Sequence, residues 1–189
     1  MTSFILHLLR HGALETPGLF MGRTDGMPSA EGIRACVERT AALRVERLIA
    51  SDLRRCARAA EDMSKALTVP LERDPRWREL DFGDWEGQAA SALDPDALGR
   101  FWSDPDANPP PGGERWSSLV ARVSGAIDTL DPVDTLVVTH GGAMRAALHH
   151  LCGFDQRQLW AFDLPYGALL SCRVWRGEEP GAQIIGLRS

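Results

Sequence analysis

No Cys-x-x-Cys pair occurs in the sequence: its four cysteines, Cys36, Cys56, Cys152 and Cys172, stand far apart. That removes the usual signatures of a structural zinc site or a redox pair, leaving buried thiols in a reducing compartment as the reading. Net positive charge is missing too. The formal charge is −5, which argues against a nucleic-acid surface, because phosphate backbones are met by positive patches. Long hydrophobic runs are also absent. The apolar stretch Phe4–Leu9 stops at Arg10, too short to span a bilayer, and neither a basic start nor a small-residue cleavage site precedes it. A cytoplasmic protein that works on neither membrane nor nucleic acid, as a monomer or homodimer, is expected. Repeats and low-complexity tracts are lacking as well.

What remains is an ordinary globular composition, 44% apolar and 25% charged, over 189 residues, a length that suits one domain, 1–189. Residues 4–9 read as a strand covered on both faces. The Gly/Pro-rich stretch Gly12–Pro28 breaks regular structure, and Ser29 then caps a helix whose apolar positions Ile33, Cys36, Val37, Thr40 and Leu43 recur at helical spacing. Leu48–Ala50 is a second strand, Ser51 or Asp52 opens a helix to about Leu67, and Val69-Pro70-Leu71 begins a third extended segment.

From Trp77 the pattern turns irregular, with one or two short helices, and residues 84–114 are expected to form an inserted region covering the site. A helix marked by Trp116, Leu119, Val123 and Ile127 starts at Glu114 and is stopped by Pro132. The strand Thr135–Thr139 follows, then a helix opened by Gly141-Gly142. Two tail strands, Ala168–Trp175 and Gln183–Leu187, flank the turn-rich Arg176–Ala182. Alternation of this kind predicts an α/β fold, a three-layer sandwich with a mainly parallel central sheet flanked by helices.

Ligands of such sheets bind beyond the carboxyl ends of the strands, and two histidines stand there: His11 after the first strand and His140 after Thr139. His11 has a cation, Arg10, on one side and Gly12, which permits close backbone approach, on the other. Alone, such a histidine is more often a surface or hydrogen-bonded structural residue than a nucleophile. His140-Gly141-Gly142 opens a helix whose N–H groups and dipole favour an anion, though the glycines also suit a mere strand-to-helix turn. At the third junction, Ser51-x-Leu53-x-Arg55-Cys56 aims the Arg55 guanidinium at the same sheet edge, where it would clamp a phosphate bidentately. Arg54 and Arg58 read as solvated helix residues or partners of Glu61 and Asp62.

Carboxylates crowd Trp77-Arg78-Glu79-Leu80-Asp81-Phe82-Gly83-Asp84-Trp85-Glu86-Gly87. Burial beside aromatics raises a carboxyl pKa toward the range useful for proton donation, but the spacing does not choose among Glu79, Asp81, Asp84 and Glu86. Nor does it say whether Trp85, Trp102 or Trp116 stacks on a substrate; core filling is the reading for Trp116 on its helix face.

Taken in order, Leu9-Arg10-His11-Gly12, Ser51-x-Leu53-x-Arg55-Cys56, Glu79-x-x-Phe82-Gly83-x-Trp85-Glu86-Gly87 and Thr139-His140-Gly141-Gly142 resemble the histidine phosphatase superfamily, with its phosphoglycerate-mutase-like fold. The resemblance implies that His11 is the phosphorylated nucleophile, that Arg10, Arg55 and His140 bind the transferring phosphoryl group, and that Glu79 is the proton donor. It implies neither metal nor cofactor, since two arginines and a second histidine supply the charge neutralisation. The nucleophile has to be neutral, its other nitrogen held by an acceptor such as a backbone carbonyl.

Glu79–Gly87 and Phe101–Glu114 look like the α-ribazole phosphatase branch, which implies a small-molecule phosphomonoester, α-ribazole 5′-phosphate in that branch, as the partner. Gly22-Arg23-Thr24-Asp25 resembles the family's loop element and marks Arg23 for holding the substrate beyond the phosphate, as Gly141 does at the helix start. Three stretches depart from the pattern: Ala13–Pro17 replaces the usual polar run, Asp25–Ser29 is altered, and Ala59 stands for a threonine.

The rivals are a phosphoglycerate mutase, for whose substrate clamp the inserted region is short, and a non-catalytic phosphoryl-binding module. A degenerate module would be expected to lose one of the five groups, and all five are present.

Overall fold

In the computed structural model, whose described residues are 2–177 and 181–189, strands and helices alternate as the apolar periods require. β1 (Thr2–Arg10) leads through a long loop to α1 (Ala30–Thr40), β2 (Arg47–Ala50), α2 (Arg54–Leu67) and β3 (Leu71–Arg73). Three short 3-10 turns and α3 (Pro95–Ser103) follow, then α4 (Trp116–Asp128), β4 (Thr135–Thr139) and α5 (Gly141–Cys152). The one-turn α6 (Gln156–Leu159), β5 (Leu169–Arg176) and β6 (Gly181–Arg188) complete the chain. Of the turn expected at Arg176–Ala182, residues 178–180 lie outside the described residues.

The strands form one sheet in the order β3-β2-β4-β1-β5-β6. The first four lie parallel, and β5 runs against both β1 and β6, so the mainly parallel sheet carries one reversed strand. Period-two alternation splits the core. Leu6, Leu8, Ile49 and Val137 face a cluster covered by Leu119 and Val123 of α4 and Met144 and Leu148 of α5. Leu9, Leu48, Leu136 and Val138 face the other side, under α1 and α2, with Cys36, Cys56, Ala60 and Met63. Both faces are dry, which is why these strands read as continuous apolar runs, and the result is the expected three layers. Truncating any one of the buried leucines to alanine costs about 2–5 kcal/mol.

Helix starts follow the caps where the caps are free to act. Ser29 accepts from the Gly32 N–H at the start of α1. The second helix begins later than expected, at Arg54, with Leu53 as an N-cap that offers no side-chain bond. The reason is tertiary competition: the Ser51 hydroxyl is taken by His140 and the Asp52 carboxylate by Arg78. α4 likewise starts at Trp116, because Glu114 is engaged with Arg122. α1 ends at Thr40, whose hydroxyl bonds back to the Cys36 and Val37 carbonyls.

All four cysteines are free thiols, three of them buried. Burial pushes Cys36 and Cys172 up to about 12, so both stay protonated. No helix among the described residues is long and apolar enough to cross a membrane.

The loop after β1 touches α1 backbone to backbone. A Cβ on Gly12 would stand 2.1 Å from the Gly32 carbonyl oxygen, and one on Gly32 would stand 2.4 Å from that of Ala13. Neither obstacle is a flexible side-chain end, so the paired glycines set how close α1 comes to the residue after His11. Gly12→Ala is therefore expected to destabilise the fold by about 1–3 kcal/mol, read as a lowered urea midpoint; an unchanged midpoint would mean the loop yields freely.

Candidate active site

The parallel pairing of β1 with β4 aligns Arg10 with Thr139, so the residues that follow, His11 and His140, leave adjacent strand ends together. Their ring centroids lie 5.2 Å apart at 65°. β2 pairs with β4 on its other side and delivers Ser51 and Arg55 to the same edge.

His11 is buried, and its Nδ1 lies 2.9 Å from the Gly12 carbonyl oxygen. A carbonyl only accepts, so Nδ1 carries the proton and Nε2 keeps its lone pair. Burial is the main force pushing the His11 pKa down to about 3, with Arg55 and Arg10 adding to it and the Gly12 hydrogen bond opposing. The imidazole is neutral at any ordinary pH.

His140 is neutral for a similar reason. The Arg55 Nε–H donates to its Nδ1 at 3.2 Å, so Nε2 bears the proton and donates to Ser51 Oγ at 2.9 Å. Burial first, then the charge of Arg55, holds it well below the usual imidazole range. Both ring nitrogens are thus committed to protein groups, where the sequence pointed to a nitrogen directed at a phosphoryl group.

Arg55 departs from expectation in the same way. It is completely buried. Besides the bond to His140, its Nη1 donates to the Thr24 carbonyl (2.8 Å) and its Nη2 to those of Met21 (2.8 Å) and Gly22 (2.6 Å). Of five N–H donors one is left, on Nη1, so the fork grips the 21–24 loop and no bidentate face is open. The loop is held from its other side by Glu86, whose carboxylate accepts the backbone N–H groups of Gly22, Arg23, Thr24 and Phe82. Burial alone would raise the Glu86 pKa; the hydrogen bonds from Thr24, Arg23 and Phe82 outweigh it and hold it below the usual range.

The four carboxylates that spacing left open therefore separate. Glu86 serves the loop, Asp81 pairs with Arg23 (3.6 Å) and caps the Gly83 N–H, and Asp84 is exposed. Only Glu79 lines the cavity beside Arg10. Its oxygens accept from the Leu80 and Gly142 N–H groups at 2.9 and 3.1 Å. A Cβ on Gly142 would lie 2.1 Å from Glu79 Oε1, so the second glycine of the pair makes room for this carboxylate.

Arg23, expected to hold the substrate beyond the phosphate, faces two acids, Asp81 and Glu114 at 3.6 and 3.8 Å, and lies outside the cavity lining. Arg54 binds Asp25 rather than Glu61 or Asp62, while Arg58 does reach Glu61.

Arg10 and Gly141 stand at the cavity, whose volume is about 290 Å³. The Arg10 Nη1 donates to the Leu164 carbonyl at 2.6 Å, its guanidinium lies 4.5 Å over the Tyr166 ring, and its Nε is buried without a partner. Trp102, Trp116 and Trp160 form aromatic walls with Phe82 and Phe101. Trp116 also packs on the core, as read from its helix face, while one side lines the cavity; Trp85 is core alone.

Three lining or neighbouring residues were not foreseen: Arg145, Trp160 and Tyr166. Arg145 had a readable signal, four residues after Gly141 on one helix face; the two aromatics lie in irregular chain with none. Among the described residues, no three His, Cys, Asp or Glu side chains cluster as a metal site would require.

A strand-end pair of neutral histidines, a buried arginine bonded to one of them and an acid facing a cationic, aromatic cavity define a class. The family model of the histidine phosphatase superfamily (branch 1) matches residues 6–183, and the chain belongs to that superfamily. Among curated relatives, the adenosylcobalamin/alpha-ribazole phosphatase of Salmonella typhimurium is 26% identical over 91% of each chain. Among solved structures, a mycobacterial glucosyl-3-phosphoglycerate phosphatase superposes with a TM-score of 0.85 at 22% identity, covering 97% of each chain. The alpha-ribazole phosphatase from Shigella flexneri superposes at 0.84 and 23%, covering 98% of this chain and 96% of that one. Both structures share the fold.

Holding two imidazoles neutral ties stability to pH. In the unfolded chain each histidine protonates near 6.5, so unfolding takes up protons below that value. The stability they contribute is complete above about 6.5 and is lost as pH falls toward the folded-state value, about 3 for His11, at about 1.4 kcal/mol per pH unit for each group. His11→Asn should flatten the slope of stability against pH between about 4 and 6 by one histidine's share, measured by urea denaturation across that range. An unaltered slope would show that His11 titrates normally.

Proposed function

We propose that the protein is a phosphatase that hydrolyses small-molecule phosphomonoesters through a phosphohistidine intermediate on His11. The observation that carries this reading is the Gly12 carbonyl on Nδ1, which leaves a neutral imidazole with a free Nε2 lone pair directly after Arg10, a residue of the cavity wall. Nε2 attacks phosphorus, the N–P bond forms as the P–O ester bond breaks, and Glu79 gives its proton to the departing oxygen. Water then attacks the phosphohistidine, Glu79 as carboxylate takes the water proton, and inorganic phosphate leaves with His11 regenerated.

Phosphoryl transfer needs positioning and charge neutralisation. Arg10 supplies a cation with an unpartnered N–H, the α5 N-terminus at Gly141 a dipole, and Arg55 its charge and one remaining N–H. His140, its nitrogens taken, acts here mainly by fixing Arg55 and Ser51 beside the nucleophile. Arg23 shapes the loop through Asp81 and Glu114. Residues 84–114 serve as cover for the site within one domain, with Phe101, Trp102 and Pro105 in the cavity wall.

The walls suit a flat, apolar leaving group. α-Ribazole 5′-phosphate, with its aromatic base, falls in that class, and the similarity to α-ribazole phosphatases supports including it.

His11→Ala should lower turnover by about 10⁴-fold or more, as loss of a nucleophile does, and abolish acid-quench trapping of labelled phosphohistidine. Glu79→Gln should slow alkyl phosphates by about 10²–10³-fold while costing activated aryl phosphates far less; equal losses on both would remove Glu79 from the acid's role. A screen of nucleotide, sugar and α-ribazole phosphates, scored as phosphate release against phosphoglycerate isomerisation, decides between hydrolase and mutase.

A further inference from the structure

The phosphoryl chemistry leaves one cation in the cavity unused. Arg145 lies one turn into α5, and helical side chains lean back toward the N-terminus, which brings its guanidinium beside Arg10 across Gly141: a Cβ on Gly141 would be 3.4 Å from Arg145 Nη1 and 3.6 Å from Arg10. The Trp160 ring covers the Arg145 guanidinium at 4.4 Å. Its hydrogen bonds are poor, 3.4 Å from Nη1 to the Gly141 carbonyl and 3.3 Å from Nη2 to that of Phe162, and its Nε is buried with no partner.

Three other partly buried arginines are neutralised, Arg122 by Glu114, Arg78 by Asp52 and Arg76 by Asp74, whereas Arg145, like Arg176, donates only to carbonyls. Among the described residues no carboxylate stands within ion-pair distance of Arg145. Burial lowers its pKa, Glu79 and Asp163 oppose that, and the charge of Arg10 adds to it. Arg10 and Arg55 match the roughly two negative charges of a transferring phosphoryl group, so Arg145, half-buried and with no ion-pair partner, is left over for a second negative group.

We propose that Arg145 binds a second anionic group carried by the leaving alcohol, so that the preferred substrates are phosphomonoesters whose leaving group is flat, apolar and itself negatively charged, an aryl or heteroaryl carboxylate being the simplest case. This deepens, and rests on, the phosphatase reading. The stacked guanidinium offers planar donors to a carboxylate, while Trp102, Trp116 and Trp160 take up the ring. A leaving group with no charge, α-ribazole among them, uses the walls and leaves Arg145 unmatched.

The test compares 3-carboxyphenyl phosphate with 3-carbamoylphenyl phosphate, matched in shape and differing in charge. The protein is expected to favour the carboxylate by about tenfold or more in kcat/KM, mostly through KM, the scale of one charge-assisted contact. R145Q should bring the ratio close to one, and R145K, which keeps the charge but not the fork, should retain part of it. A wild-type ratio of one overturns the proposal whatever the variants do, and so does a ratio that survives R145Q. Equal loss on both esters in R145Q overturns it as well, since Arg145 would then serve the transferring phosphoryl group.

Calorimetric binding of the two esters to the His11→Ala protein reads affinity without turnover. Tighter binding of the carboxylated ester there, with no phosphohistidine trapped in the wild type, would uphold Arg145 and sink the His11 mechanism. A trapped phosphohistidine with equal binding of the two esters would do the reverse.

Discussion

The buried guanidinium of Arg55 is the joint on which the site is assembled. It ties three carbonyls of the 21–24 loop to the His140 ring, and through Ser51 that ring is tied to the end of β2. A guanidinium with no solvent exposure is tolerable only because four of its five donors are met; breaking such a buried set by removing one partner typically costs about 3–5 kcal/mol. The loop in turn keeps its carbonyls in place because Glu86 gathers its N–H groups. One carboxylate organises the amides and one guanidinium organises the carbonyls, so a stretch without helix or strand is nevertheless held rigidly against the sheet edge. The same buried charge helps keep both histidines neutral, which links the architecture of the loop to the protonation state that a nitrogen nucleophile needs.

Electrostatically the molecule is divided. Its formal charge is −5, yet Arg10 and Arg145 meet in one cavity without acidic partners among the described residues, while Arg23, Arg76, Arg78 and Arg122 are paired. A local positive field within a negative surface draws small anions inward and repels large polyanions. The low dielectric created by the tryptophan walls strengthens that field where the phosphate would sit.

What could be read in advance follows physical range. The strands, the three layers and the meeting of His11 with His140 come from local periodicity plus the pairing rules of parallel sheets, and all were legible. Ser29 was legible as a cap because nothing competes for it; Ser51 was misleading because a histidine 89 positions away claims its hydroxyl. The work of Arg55 was half visible: its place at a strand end could be read, but its acceptors are backbone carbonyls, which carry no residue identity. Arg23 looked free because its captors, Asp81 and Glu114, lie far along the chain. Glu86 was seen only as one of four carboxylates, since a set of amides leaves no compositional mark beyond glycine. Tyr166 and Trp160 sit in irregular chain where neither period nor cap points anywhere.

The site draws its reacting groups and its cavity walls from different sources. His11, Arg55 and His140 come from strand ends and the helices they feed, locked by the sheet, whereas Trp102 and Trp160 come from α3 and the end of α6, connected through their ring contact and a bond from Gln156 to the Trp102 carbonyl. Changes in the second set need not disturb the first. Such a division lets mutation explore new leaving groups while the reaction centre stays under separate selection, and it gives one scaffold the freedom to diverge in what it consumes without relearning how to break the ester bond.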